Sequence, residues 1–103
     1  MKLTGTQGWT GLSRVDESKV TEAIIRDEGR EIAVDYEYQG QKQHLKLNSK
    51  DGINFIGDYS AGTRKIGSCN FTLYKNAESY FLFGGYSSAE EESGVWWIEL
   101  SSK

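Results

Sequence analysis

The chain has no proline, one cysteine, one histidine and no long apolar run. Each shortage removes a class of protein. With Cys69 alone there is no internal disulfide, which fits a reducing compartment. His44 alone leaves no Ser-His-Asp arrangement that does not use it. A zinc site takes three or four His or Cys ligands, and two such residues exist in all. No catalytic activity, metal or cofactor is therefore expected. Without a Lys/Arg cluster, and with a formal net charge of −3, nucleic acid is not expected as a partner. The opening MKLTGTQ turns polar after Leu3, so there is neither a signal-type apolar segment nor a membrane span. A cytoplasmic protein, or one whose leader has been removed, is expected. Asn70-Phe71-Thr72 matches a glycosylation pattern but, with no secretion signal, reads as chance.

What is present is aromatic and glycine-rich. Aromatics are 13% of the 103 residues, beside 12 glycines, a balance that leans to an all-β fold and away from disorder. The length suits one domain, residues 1–103, with one modest core. Ile32, Val34, Tyr36 and Tyr38 alternate with Ala33, Asp35 and Glu37, the period of two of a strand with one wet face. Gln39-Gly40 turns the chain, and Leu45 and Leu47 then alternate with His44, Lys46 and Asn48. Lys50-Asp51-Gly52 makes the next turn. Phe55, Gly57 and Tyr59 share one face, and Cys69, Phe71 and Leu73 form another alternating set before a turn at Lys75-Asn76-Ala77. Upstream, Trp9–Ser13 reads as a first strand and Lys19–Arg26 as a second. The latter also fits a helical spacing, but its β-branched Val20, Thr21, Ile24 and Ile25 favour a strand. About eight short strands on short turns predict a small antiparallel up-and-down β-barrel, closed so that no edge is exposed. A flattened two-sheet sandwich is the alternative.

Leu3-Thr4-Gly5-Thr6 followed by Trp9 resembles the opening strand of the avidins. Phe55-x-Gly57-x-Tyr59 and Gly84-x-Tyr86 are similar to strand-end motifs of the wider calycin group, which joins avidins and lipocalins. Ala89, Glu90 and Trp97 stand at spacings similar to those of its closing hairpin. The resemblance implies a calycin-like barrel. It does not extend to biotin, because Thr10-Gly11-Leu12-Ser13 supplies no Asn after Trp9 and places Ser differently.

Few residues offer chemistry. His44 lies on the same face as Lys42 and Lys46 and reads as exposed. Cys69 reads as a small buried hydrophobe. Glu90-Glu91-Glu92 fits a solvated hairpin tip better than a calcium loop or an acid/base pair. Gly84-Gly85 lacks the following helix of a phosphate loop and predicts a bulge or sharp bend. The aromatics Trp9, Tyr36, Tyr38, Phe55, Tyr59, Phe71 and Trp96 either line a pocket or fill the barrel. Of these, Trp9, Tyr36, Tyr38, Tyr59 and Trp96 are the candidate ligand-binding set.

The last two strands are apolar on both faces. Tyr80, Leu82 and Tyr86 oppose Phe81 and Phe83, while Trp96, Ile98 and Leu100 oppose Val95 and Trp97. One set faces the core. Glu99 shares the face of Trp97, which puts Phe81, Phe83 and Trp97 outside. A second surface is expected to cover them, most simply a copy of the same chain in a homodimer. The leading expectation is a non-catalytic binding protein for a small apolar or aromatic ligand. A protein–protein module of the inhibitor or immunity type comes second, and a carboxylate-based enzyme last.

Overall fold

A computed structural model describes residues 1–88 and 92–102. Eight antiparallel strands follow one another around a closed barrel in chain order: β1 (Lys2–Thr10), β2 (Val15–Arg26), β3 (Glu31–Tyr38), β4 (Gln41–Ser49), β5 (Asn54–Ala61), β6 (Arg64–Lys75), β7 (Ser79–Ser88) and β8 (Ser93–Ser101). Strand β8 closes on β1 from Thr4↔Ser101 to Trp9↔Trp96. The predicted meander is thus the observed one, and no sandwich forms.

The turns have local causes. Gln39 and Gly40 both take positive φ, 52° and 76°, as a two-residue hairpin whose twist matches its strands requires. At the β4–β5 turn the Asp51 carboxylate accepts the backbone N–H groups of Ile53 and Asn54, each at 2.8 Å. Those bonds hold its pKa well below the usual carboxylate range. A single 3-10 turn at Asp27–Gly29 joins β2 to β3.

Three local expectations need correction. The first strand is Lys2–Thr10, not Trp9–Ser13; residues 11–14 form the turn, with Gly11 N–H bonded to the Arg14 carbonyl at 2.8 Å. Gly5, Gln7 and Gly8 hide the strand because none looks like a wall residue. Its two neighbours nevertheless satisfy its backbone on both sides. Strand β2 begins earlier than expected, at Val15. No bulge occurs at Gly84-Gly85: the pairing of β7 runs unbroken from Tyr80 to Ser88 on the β6 side and from Ser79 to Ser87 on the β8 side. Ala89, Glu90 and Glu91, part of the resemblance and of the glutamate tip, lie outside the described residues.

One end of the barrel is solid. Leu3, Ile32, Leu47, Phe55, Leu82, Ile98 and Leu100 are buried there, and Phe71 lies beside them. Burying a side chain of this size contributes about 1.5–3 kcal/mol, so this layer is a large part of what holds the barrel together. Phe55 and Phe71 belong to it rather than to a pocket. Alternation also puts Gly57 on the inner face of β5, where a Cβ would fall 1.9 Å from the Lys46 carbonyl oxygen. Only a residue without a side chain lets β4 and β5 approach so closely.

Candidate functional site

The other end of the barrel is open. A cavity of about 550 Å³ descends from the mouth to the middle of the barrel, within the usual range for sites that take small molecules. All five candidate ligand-binding residues, Trp9, Tyr36, Tyr38, Tyr59 and Trp96, line it.

The buried Trp96 indole is the hub of the floor. The rings of Tyr59, Phe71 and Tyr36 surround it edge-on, with centroids 5.1, 5.6 and 5.8 Å away, the arrangement that aromatic quadrupoles favour. Its Nε1–H donates to Gln7 Oε1 at 3.1 Å, and Gln7 Nε2 donates to Ser18 Oγ at 2.9 Å. Gln7 is a buried polar residue, and these two bonds satisfy it. Higher up, Trp9 meets Tyr38 edge-on at 5.0 Å. The Tyr86 hydroxyl donates to the Thr10 carbonyl, passing over Gly94, where a Cβ would stand 2.2 Å from that same oxygen.

The rim is polar. Gln39, Gln41 and Gln43 form one side of it, with Arg14, Arg64, Ser88 and Glu92 around the rest. Arg14 is engaged, its guanidinium 2.8 Å from Asp16 Oδ2 and 3.1 Å from Glu92 Oε1. The sequence reading missed the glutamines and arginines, and also Tyr86 and Ile66, which line the cavity too. One signal was available for the glutamines: Gln41 and Gln43 continue the inward phase of Leu45 and Leu47, and polar residues on an inward phase mark a wet end.

Tyr36 and Tyr59 are 3% and 6% exposed, yet neither hydroxyl has a hydrogen-bond partner among the described residues. Burial pushes both pKa values up, helped by the neighbouring Tyr59 for Tyr36 and Tyr86 for Tyr59. Burial also pushes the Cys69 thiol up to about 12. A proton kept by the folded state and lost by the unfolded chain stabilises the fold fully below the unfolded pKa and is forfeited as pH rises. Stability is therefore expected to fall from about pH 9–10 upward, where free thiols and phenols ionise. In an ultraviolet titration, Tyr36 and Tyr59 ionise only as the barrel unfolds. Six phenols ionising together in the folded state would contradict this.

The remaining candidates point elsewhere. His44 lies on the outer face, its Nδ1 hydrogen-bonded to Asp35 across the β3–β4 pair. Cys69 is buried, with its Sγ 3.6 Å from the Gly57 carbonyl. Among the described residues no three His, Cys, Asp or Glu side chains gather to hold a metal, and no helix is long and apolar enough to cross a membrane. Outside, Phe81 and Phe83 stack at 6.4 Å and are 36% and 46% exposed, with Val95 at 37%. Trp97 is half-buried because its indole lies over Gly8, 2.3 Å from where a Cβ would stand. The chain matches no protein-family model and no curated protein sequence.

Proposed function

We propose that this chain is a non-catalytic binding protein that takes a small, largely apolar or aromatic ligand into the mouth of the barrel. The observation that carries the reading is the gathering of Trp9, Tyr36, Tyr38, Tyr59 and Trp96 around one cavity above a packed base. A calycin-like ancestry is consistent with the closed eight-stranded meander and with Trp9 standing inside the mouth. The absence of catalysis is supported by His44 facing outward and by a Cys69 thiol held protonated. A single, buried cysteine supports a cytoplasmic setting. The test is fluorescence titration with N-phenyl-1-naphthylamine, a neutral aromatic probe. Saturable binding with quenching of tryptophan emission is expected, and a titration without saturation refutes the reading.

A second reading concerns the outer strip of Phe81, Phe83 and Trp97. Exposed, mutually stacked rings on a regular sheet face support a homodimer through that face. Phe83→Glu is the cleaner test, because Trp97 also covers Gly8. Light scattering is expected to give a dimer for the wild type and a monomer for the variant. A monomeric wild type at high micromolar concentration rejects this reading.

A further inference from the structure

Buried hydroxyls without partners are rare, because each one costs the loss of its bonds to water. Tyr36 and Tyr59 are more than nine-tenths buried, on rings set edge-on to Trp96, and their hydroxyls bond to no described residue. Among the described residues no fully enclosed side-chain nitrogen or oxygen lacks a partner. These two hydroxyls, which have none, therefore keep contact with the cavity they line. We propose that the ligand presents a neutral carbonyl oxygen to the hydroxyls of Tyr36 and Tyr59, with a flat apolar body against the aromatic wall.

The chemistry of the floor selects that group. A protonated phenol donates one hydrogen bond and can accept others. Two such donors set around the same indole are satisfied together by one acceptor, and a carbonyl oxygen with two lone pairs is that acceptor. Burial holds both phenols in the protonated form. A carboxylate is a poorer match, since burying a charge needs a charged partner at the same depth. The cations of this site are at the rim: Arg14 is engaged by Asp16 and Glu92, and Arg64 is exposed. A hydrocarbon without an acceptor would leave both hydroxyls unpaired. The site itself makes room for this arrangement, because a side chain at Gly67 would stand 2.7 Å from the Tyr59 hydroxyl oxygen.

This inference rests on the binding reading above, and three probes separate the two. They are 2-acetylnaphthalene, its near-isostere 2-ethylnaphthalene, and 2-naphthoate. A purely apolar pocket prefers the ethyl compound. The proposal expects the ketone to bind about tenfold more tightly than the ethyl compound, the equivalent of one or two good hydrogen bonds, and the naphthoate to bind most weakly. In infrared spectra the bound ketone's carbonyl band should move to lower frequency. Tyr36→Phe and Tyr59→Phe together should abolish both the preference and the band shift. The ketone should be weakened, and the ethyl compound, no longer facing unpaired hydroxyls, should be bound more tightly than by the wild type. Neither hydroxyl bonds to a described residue, so these variants are expected to keep the wild-type melting temperature; a marked fall would assign the hydroxyls to the fold and overturn the proposal. Equal or tighter binding of the ethyl compound, or a preference for naphthoate, overturns the carbonyl proposal and leaves the binding reading standing. If none of the three binds, both fall.

Discussion

Trp96→Ala is expected to lower the unfolding free energy by about 3–5 kcal/mol, the usual cost of deleting a large buried aromatic. The indole is 3% exposed and touches the rings of Tyr36, Tyr59, Phe71, Tyr86 and Trp9. Five of the eight strands besides its own contribute those rings, and a hole at their centre cannot be closed by moving any one of them. The substitution also removes the donor to Gln7 Oε1, leaving a buried amide oxygen unsatisfied. Small domains have only about 5–15 kcal/mol of stability in total. Urea unfolding of the variant should show a much lower midpoint, together with loss of probe binding. Trp96→Phe should recover part of the packing but not the Gln7 bond. A cost below about 1 kcal/mol for Trp96→Ala would mean that the floor is not packed as described.

Gly57→Ala adds one methyl group, and its expected cost is about 3 kcal/mol, the upper part of the usual range for overpacking. A Cβ at position 57 would stand 1.9 Å from the Lys46 carbonyl oxygen and 3.0 Å from the Leu47 Cα. These are backbone atoms of the neighbouring strand, so no side-chain rotation relieves the clash and β4 and β5 must part. Gly57 sits between Phe55 of the base and Tyr59 of the cavity wall, so the disturbance reaches both. Gly8→Ala provides the contrast. There the obstacle is the Trp97 indole, a side chain on the outer face that can swing away, and a smaller loss is expected. Thermal unfolding of the two variants side by side measures the difference. Equal losses would remove the distinction between the two contacts.

The barrel was legible wherever one face is apolar and the other wet. Strands β3 and β4 show this: Ile32, Val34, Leu45 and Leu47 are buried while Asp35, His44 and Lys46 are exposed. It was illegible where the chain approaches itself. Gly5 and Gly8 look like breaks in a pattern, yet they are where β1 presses against β8. Gly84 raised the expectation of a bulge for the same reason; it allows contact with the Asn70 carbonyl without any change of register. Five of the six aromatic residues that line the cavity, all but Tyr86, could be named from the sequence because each falls on an inward phase. Their height in the barrel could not. Periodicity assigns a residue to a face, but whether an inward ring fills space or borders it depends on which residues of the other strands share its layer. Phe55 and Tyr59 lie on the same face of β5, yet only Tyr59 reaches the cavity.

Closure of the sheet bears on the order in which this protein assembles. Seven of the strand pairings join neighbours in sequence, and the eighth, β1 with β8, joins the two ends of the fold. The first seven need only short loops, whereas the last must enclose most of the chain and meets the largest entropic cost of loop closure. All three tryptophans sit on that seam, with Trp9 opposite Trp96 and Gly8 opposite Trp97. Tryptophan fluorescence in a stopped-flow refolding experiment therefore reports the zipping of this one junction, while circular dichroism reports the hairpins. Since Trp9 and Trp96 flank the cavity from opposite sides of the seam, a binding-competent mouth cannot precede that final joining.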